Sequence, residues 1–202
     1  MQLTRALIAA EAEHITPLIV LNKSDLTELH ARALARLEPY VKMGYTVLQG
    51  SFKSGDLGDL PERLNHKTTL VLGPSGTGKS TLINALVPHA NVATAEISQA
   101  LNSGKHTTTA TTWHWVDAER QTGLIDSPGF QEFGVHHIDA MQLAAYMPDF
   151  KPHVANCKFY NCTHLHEPSC GVQDAVEAGA ISPSRYKLYG MLFAELTQPV
   201  NY

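Results

Sequence analysis

A glycine-rich run at residues 73–81 has the spacing G-x-x-x-x-G-K-[S/T] of a phosphate-binding loop. Its glycines would let backbone amides close around phosphate oxygens, while Lys79 reaches the terminal phosphate and Ser80 ligates Mg²⁺. The pattern also occurs by chance in ordinary loops, but here a predicted strand precedes it and a predicted helix follows it. The residues of this loop predicted to bind nucleotide are Gly73, Pro74, Ser75, Gly76, Thr77, Gly78, Lys79, Ser80 and Thr81.

A second motif, N-K-x-D, is formed by Asn22, Lys23, Ser24 and Asp25. The Asp25 carboxylate would accept hydrogen bonds from the ring N–H and the exocyclic amine of guanine, and adenine offers neither donor on that edge. Asn22 and Lys23 would brace the phosphate loop and the base. Taken alone, four such residues would usually form a helix-capping turn. Their position after an apolar run, in a chain with a phosphate loop, favours guanine recognition.

Residues Ser51, Phe52 and Lys53 follow the next predicted strand. GTPases place a Ser-Ala-Lys loop there, and its backbone reads the guanine oxygen. Phe52 replaces the alanine of that loop. Ser51 and Phe52 are therefore predicted to bind the base through their backbone.

Asp126 and Gly129 fit a D-x-x-G element at the end of another predicted strand. Asp126 would hold Mg²⁺ through water, and the Gly129 amide would sense the terminal phosphate. The next residue is Phe130, where many GTPases place the glutamine that orients the attacking water. An apolar side chain cannot orient water, so another group must do so.

A polar run at residues 104–109 has the composition of a switch loop. Thr107 or Thr108 is predicted to close over Mg²⁺ when the terminal phosphate is present. His106 is the candidate catalytic residue that positions water. The alternative for His106 is an exposed histidine in a polar loop.

The chain has three cysteines, and all of them lie in one short window with histidines. Three thiolates and one imidazole form a complete tetrahedral set for structural Zn²⁺, with no position left for water. His166 is the alternative imidazole ligand, and unligated thiols are the alternative to a metal site. The predicted ligands are Cys157, Cys162, His164 and Cys170.

The elements that must position these residues alternate between strands and helices. Strands are predicted at residues 17–21, where the run is apolar, and at 45–48, 68–72, 110–116 and 123–126. Helical spacing predicts a helix at 27–43, which Thr27 can cap and Gly44 can end, and further helices are expected at 55–64 and 79–86. The pattern predicts an α/β fold with a doubly wound, mostly parallel sheet, whose ligand lies at the carboxyl ends of the strands. Residues 1–150 would form this domain, and residues 151–202 a zinc-binding appendage that ends in a helix capped by Ser182.

The phosphate loop lies after the guanine motif in this chain, whereas ordinary GTPases have the opposite order. A permuted chain builds the same pocket if the original termini are joined, and domain termini often lie close together. The composition agrees with a globular domain, since 44% of the 202 residues are hydrophobic. A net charge of -4 gives no overall attraction to RNA, so an RNA partner would need a local basic patch.

With these motifs assembled, the chain resembles the RsgA family of circularly permuted, ribosome small subunit-dependent GTPases, also called YjeQ or EngC. The resemblance covers about residues 17–196. It implies a GTPase that acts late in small-subunit assembly, contacts ribosomal RNA, and uses the histidine matching His106 in hydrolysis. Family members normally carry an OB-fold RNA-binding domain ahead of the GTPase domain. We expect this chain to lack it, as a fragment or as a short homologue.

The leading hypothesis is therefore a cytoplasmic, monomeric GTP hydrolase that uses Mg²⁺ and structural Zn²⁺ and couples GTP turnover to binding and release of the small ribosomal subunit. No segment predicts a signal peptide or a membrane span. The alternative is a GTP- or GDP-binding module with little turnover, because the OB-fold is absent. A phosphate-loop kinase is disfavoured by the guanine motif.

Overall fold

The computed structural model describes residues 2–92, 111–127 and 135–198. The chain forms two compact units. The central unit is Leu18–Glu132, and the terminal unit combines Met1–Pro17 with Phe133–Tyr202. The division at about residue 150 stays a prediction about domains, and the compact units divide elsewhere.

The central unit begins with a parallel pair of strands joined by a helix. Strand β1 (Leu18–Leu21), helix α2 (Thr27–Lys42) and strand β2 (Thr46–Gln49) follow one another, and β1 pairs with β2 in parallel from Leu18↔Thr46 to Leu21↔Gln49. The predicted β-α-β unit is confirmed. Gly44 follows α2 with a φ of 93°, a left-handed conformation that suits glycine.

A second sheet carries the strand that leads into the phosphate loop. Strand β3 (Thr68–Val71) pairs in parallel with β5 (Gly123–Asp126), and β4 (Thr112–Trp115) pairs with β5 in the antiparallel direction. Helix α4 (Lys79–Leu86) follows the loop and has the predicted bounds. The predicted α/β class with mostly parallel pairing is confirmed.

Two local predictions in the central unit are wrong. The helix expected at residues 55–64 is reduced to α3 (Leu60–Leu64), because Gly55 and Gly58 take left-handed φ values of 80° and 55°. A 3₁₀ turn, Phe52–Ser54, precedes these glycines. Thr27 does not cap α2 but is its first residue, after Leu26.

The terminal unit is helical in the part of the chain that the structure describes. It contains α1 (Gln2–Ala12), a 3₁₀ helix (Ala140–Tyr146), α5 (Lys151–Val154), α6 (Gly171–Glu177) and α7 (Pro183–Thr197). Ser182 caps α7 as predicted, since its side chain accepts a hydrogen bond from the Arg185 amide. No helix among the described residues is both long enough and apolar enough to cross a membrane.

Helix α1 belongs to the terminal unit although it lies at the opposite end of the sequence. Ile8 is 1% exposed and lies in the same core as Phe150 and Leu192. The Arg5 guanidinium forms a bidentate ion pair with the Glu195 carboxylate on α7. This helix was not predicted, because an isolated short helix gives little sign of a partner so far along the chain.

Candidate functional site: a nucleotide pocket and a metal centre

The guanine motif meets the phosphate loop through Asn22, at the carboxyl end of β1. Asn22 Nδ2 donates to the carbonyl oxygen of Thr77 at 2.8 Å, across 55 residues of sequence. Its Oδ1 accepts from the amide of Phe52 at 2.9 Å and from that of Lys23 at 2.8 Å. One side chain therefore connects the guanine motif, the loop after β2 and the phosphate loop.

Lys23 makes the second connection between the two motifs. Its Nζ donates to the carbonyl oxygen of Gly76 at 2.8 Å. Its backbone has a φ of 70°, which is uncommon for a residue with a side chain and is typical of functional turns. Lys23 therefore contacts the phosphate loop that it was predicted to brace.

Asp25 lies on the exposed surface beside this junction. Ser51 Oγ donates to Asp25 Oδ1 at 2.6 Å. This hydrogen bond is the largest cause of a lowered pKa of Asp25, and the positive charges of Lys53 and Lys23 act in the same direction. The carboxylate is thus held in its ionised, hydrogen-bond-accepting form, as guanine recognition requires.

Phe52 shows how a large residue fits where GTPases have alanine. Its side chain is 7% exposed and packs in the core of the central unit with Leu82 and Leu124. Its amide still points to Asn22, as described above. The substitution therefore changes the core and keeps the backbone bond to Asn22, while the Ser51 amide donates to the Asp56 carbonyl oxygen at 3.0 Å.

The phosphate loop has the backbone geometry that its glycines permit. Gly76 and Gly78 have φ values of 77° and 101°. A side chain at Gly78 would collide with the amide nitrogen of Asn22, and one at Gly73 would lie 2.9 Å from Thr77 Oγ1. Glycine is therefore required by close packing as well as by conformation.

Lys79 lies at the mouth of this loop. Its Nζ donates to the carbonyl oxygens of Gly73 at 2.7 Å and Pro74 at 3.2 Å. Burial lowers the pKa of Lys79, and the negative charge of Asp126 opposes that shift. Asp126 is 2% exposed and is paired in register with Val71, the last residue of β3. The lysine and the carboxylate thus lie at the same edge of the sheet.

The structure describes some of the remaining predicted residues of the nucleotide site and does not describe the switch residues. Ser80 and Thr81 lie half-buried in the first turn of α4, and Ser24 lies in the turn after β1, where its amide donates to the Gly50 carbonyl oxygen at 3.0 Å. Pro74 and Ser75 are exposed in the loop. The switch residues lie outside the described part of the chain: His106, Thr107, Thr108, Gly129 and Phe130.

The four predicted metal ligands converge in the terminal unit, where their ligand atoms all lie within 4.8 Å of one another. Around tetrahedral Zn²⁺, neighbouring sulfur and nitrogen ligands lie roughly 3.5–3.8 Å apart. Cys157 Sγ lies 3.8 Å from Cys170 Sγ and 3.4 Å from His164 Nδ1, and the Cys170 and His164 atoms are 3.5 Å apart. The residues therefore fit a zinc ion, and we call this group, completed by Cys162, the Cys₃His centre.

Burial shapes the chemistry of the Cys₃His centre. It raises the pKa of the Cys162 thiol to about 12 and also raises that of Cys170. Buried thiolates need a cation close by, and a bound metal supplies one. Burial lowers the pKa of His164, which favours the neutral imidazole that binds metals. His166, the alternative ligand, is exposed and does not belong to the group.

Glu167 holds the metal loop from within, a role that was not predicted from the sequence. Its Oε1 accepts from the Thr163 amide at 3.0 Å and from the Thr163 hydroxyl at 2.7 Å. Burial opposes its charge, yet these hydrogen bonds lower the pKa of Glu167 to about 2. A carboxylate inside a Cys/His window was the available signal.

A permuted phosphate loop bonded to a guanine motif, together with a Cys₃His centre, defines the class of circularly permuted nucleotide-binding proteins. The RsgA GTPase family model matches residues 1–136 of this chain. The chain belongs to that family, and the resemblance noted from the motifs is confirmed.

Two curated relatives carry the same name, small ribosomal subunit biogenesis GTPase RsgA. The protein from Variovorax paradoxus is 63% identical over 98% of this chain and 64% of the relative. The protein from Paraburkholderia xenovorans is 52% identical over 98% of this chain and 65% of the relative. The chain thus spans slightly less than two thirds of the length of these relatives.

Two solved structures are similar to this chain. YjeQ from Thermotoga maritima matches with a TM-score of 0.76 and 32% identity, over 98% of this chain and 66% of that one. YloQ, described as a circularly permuted GTPase, matches with a TM-score of 0.72 and 30% identity, over 99% of this chain and 64% of that one. Both matches support the permuted α/β fold.

Proposed function

We propose that this chain binds guanine nucleotides and hydrolyses GTP in the service of small ribosomal subunit assembly. The observation that carries the proposal is the pair of bonds from Asn22 to Thr77 and from Lys23 to Gly76. These bonds join two motifs that are far apart in the sequence and whose joint ligand is a guanosine phosphate. The names of the curated relatives supply the ribosomal context.

Guanine selection would depend on Asp25. Its ionised carboxylate accepts the two donors on one edge of guanine, and Ser51 holds that carboxylate in place. Ser51 and Phe52 are proposed to contact the guanine oxygen, and their amides would then exchange their present bonds to Asp56 and Asn22 for that oxygen. Adenine offers neither donor to this carboxylate, so guanine should bind more tightly.

Phosphate binding would depend on Lys79, the amides of residues 73–81 and the start of α4, where the helix dipole favours anions. Ser80, Asp126 and Thr107 are the residues proposed to hold Mg²⁺. When bound, Mg²⁺ would neutralise charge that develops on the phosphate oxygens during transfer. The contribution of Lys79 is a fixed positive charge at the mouth of the loop.

His106 is proposed to position the attacking water, since Phe130 cannot do so. An imidazole can accept a proton from the water molecule, or it can hold that water molecule in place by a hydrogen bond. The same hypothesis predicts that His106→Ala lowers turnover and leaves nucleotide affinity nearly unchanged.

The Cys₃His centre is proposed to hold structural Zn²⁺ through Cys157, Cys162, His164 and Cys170. When bound, the ion would stabilise the loop that these residues form, because the loop has few apolar residues of its own. The proposed partner is the small ribosomal subunit with its RNA, in the cytoplasm, and the protein is proposed to be a monomer. GTP binding would favour binding of the subunit, and GTP hydrolysis would favour its release.

The test is a turnover assay with GTP or ATP, titrated with purified small ribosomal subunits. We expect GTP turnover that rises with subunit concentration and no turnover of ATP. Asp25→Asn should lose affinity for GDP and gain affinity for xanthosine diphosphate, since an amide N–H can donate to the xanthine oxygen. Equal binding of ADP and GDP would contradict guanine selection. GDP binding without turnover at any subunit concentration would favour the module with little turnover.

A further inference from the structure

The metal-ligating histidine has a backbone conformation that needs support from outside its own loop. His164 has a φ of 62°, in the left-handed region that residues with side chains rarely adopt. It is also buried, with 3% of its surface exposed. Such a conformation is strained and persists only where the surroundings fix it.

Helix α7 supplies that support through two tyrosine hydroxyls. Tyr189 Oη donates to the carbonyl oxygen of Thr163 at 2.8 Å, and Tyr186 Oη donates to the carbonyl oxygen of His164 at 2.7 Å. The first carbonyl belongs to the peptide before His164 and the second to the peptide after it. The two hydroxyls therefore hold both peptide planes whose rotation defines the backbone angles of His164.

We propose that Tyr186 and Tyr189 are positioning residues of the Cys₃His centre, which hold His164 in its left-handed conformation and so direct its Nδ1 toward the three sulfurs. The inference rests on the proposed metal site. It assigns a role to side chains that do not touch the metal position.

The two tyrosines lie on a capped helix, and aromatic side chains pack around Tyr189. Tyr189 is 1% exposed, and its ring centroid lies 5.0 Å from that of Phe150 and 5.9 Å from that of Phe193. Ser182 caps the helix that carries them. A hydroxyl on such a support loses little freedom when it forms its hydrogen bond, so it can hold a strained peptide effectively.

A consequence is that metal binding and the docking of α7 stabilise each other. If α7 fixes the geometry of His164, then the metal binds more tightly when α7 is docked, and by linkage the bound metal favours the docked helix. Partners that orient a ligand typically contribute 10–100-fold to metal affinity.

The test uses the full 202-residue chain with Zn²⁺ and Co²⁺ as probes. Tyr186→Phe and Tyr189→Phe remove one hydroxyl each and keep the rings. We expect each variant to bind Zn²⁺ about 10-fold more weakly in competition with a chromogenic chelator. We also expect the ligand-field spectrum of bound Co²⁺ to change, because the imidazole is held less firmly.

Tyr146→Phe is the matched control, because its hydroxyl bonds to Gln142 within the same helical segment, at 2.9 Å. We expect it to leave metal affinity and the Co²⁺ spectrum unchanged. A merely structural role of the two tyrosines would lower the melting temperature of metal-free and zinc-loaded protein equally. We expect the loss to be larger in the zinc-loaded protein.

Three outcomes would overturn the inference. The first is wild-type zinc affinity and an unchanged Co²⁺ spectrum in both variants, while wild type binds Zn²⁺. The second is an equal loss of stability with and without the metal. The third is a wild-type chain that does not bind Zn²⁺. That result would reject the proposed metal centre itself, whereas the first two would reject only the positioning role of the tyrosines.

Discussion

The two candidate sites differ in how far water reaches them. In the central unit, Asp25 and Lys23 are exposed and Lys79 is half-buried. In the terminal unit, His164 and Cys170 are 3% and 1% exposed. An exchangeable nucleotide needs an open site whose loops can re-form around it, whereas a resident metal ion is best enclosed.

The sites also differ in what holds them. The nucleotide loops hold one another, because Asn22 and Lys23 donate to the carbonyl oxygens of the phosphate loop. The metal loop is held from outside by α7 and from within by Glu167. We therefore expect a change in the terminal unit to affect stability most, and a change in the central unit to affect ligand affinity most.

Metal removal should give the largest effect. We expect a strong chelator, or Cys170→Ser, to lower the free energy of unfolding of the terminal unit by about 4 kcal/mol or more. Hydrogen exchange of α6 and α7 would measure the loss. Both tryptophans of the chain, Trp113 and Trp115, lie in the central unit, so tryptophan fluorescence reports on that unit separately.

The control for this experiment is the nucleotide site. Tryptophan fluorescence and affinity for a fluorescent GDP should be retained after metal removal if the two units are independently stabilised. Loss of GDP binding together with the metal would contradict the comparison, since it would show that the nucleotide loops also depend on the metal centre.

Lys79→Ala should give the next largest effect. Removing the charge at the mouth of the phosphate loop should weaken GDP binding by about 3 kcal/mol, near a hundred-fold, at nearly unchanged tryptophan fluorescence. Lys67→Ala is the matched control, because Lys67 is an exposed lysine just before β3 whose Nζ bonds to the Arg63 carbonyl oxygen. Calorimetric titration with GDP measures both, and equal losses would contradict the role of Lys79.

The central unit could be predicted well from the sequence because its signals are local. A short apolar run, then a motif, then a helix gives each element its own signature, and α4 has the predicted bounds. The prediction of a helix over the whole of 55–64 failed because Gly55 and Gly58 take left-handed φ values, which glycine permits and the sequence does not specify. The ligands of the metal centre were also predictable, since their residue types are rare and close in sequence.

The supports of the metal centre were not predictable, because they depend on contacts across the chain. Tyr186 and Tyr189 are three residues apart, a spacing that predicts only that they share one face of a helix. Nothing in that spacing shows that their hydroxyls reach the carbonyls beside His164. The docking of α1 through Arg5 and Glu195 is equally invisible, since the two residues lie 190 positions apart.

Gly78→Ala should have a smaller effect than Lys79→Ala. The new methyl group would collide with Asn22 Nδ2, so the hydrogen bond from Asn22 to Thr77 should be lost. Alanine would also be strained at the left-handed φ of residue 78. We expect a loss of about 2 kcal/mol in GDP affinity. Gly44→Ala is the control, since Gly44 has a similar φ of 93° but, among the described residues other than its chain neighbours, none has an atom within 4 Å of the added methyl. It should lower stability by about 1 kcal/mol and leave GDP affinity unchanged.

The smallest effect should come from the ion pair that joins α1 to α7. The hydrogen bond from Arg5 is the main cause of a pKa of Glu195 below its ordinary 4.5, with His136 Nε2 also 3.9 Å away. A lowered carboxylate pKa contributes stability that is complete above pH 4.5 and is lost as the pH falls through the folded pKa. Arg5→Met should therefore cost up to about 1 kcal/mol at pH 7, because the pair is partly solvated.

This difference between wild type and Arg5→Met should shrink as the pH is lowered below 4.5. Denaturant unfolding of both proteins at each pH measures it, and taking the difference removes acid effects common to both, such as release of the metal. Lys42→Met breaks the fully exposed pair with Glu38 on α2 and should change stability less. A difference for Arg5→Met that stays constant down to low pH would mean that packing of the side chain, and not its charge, joins α1 to α7.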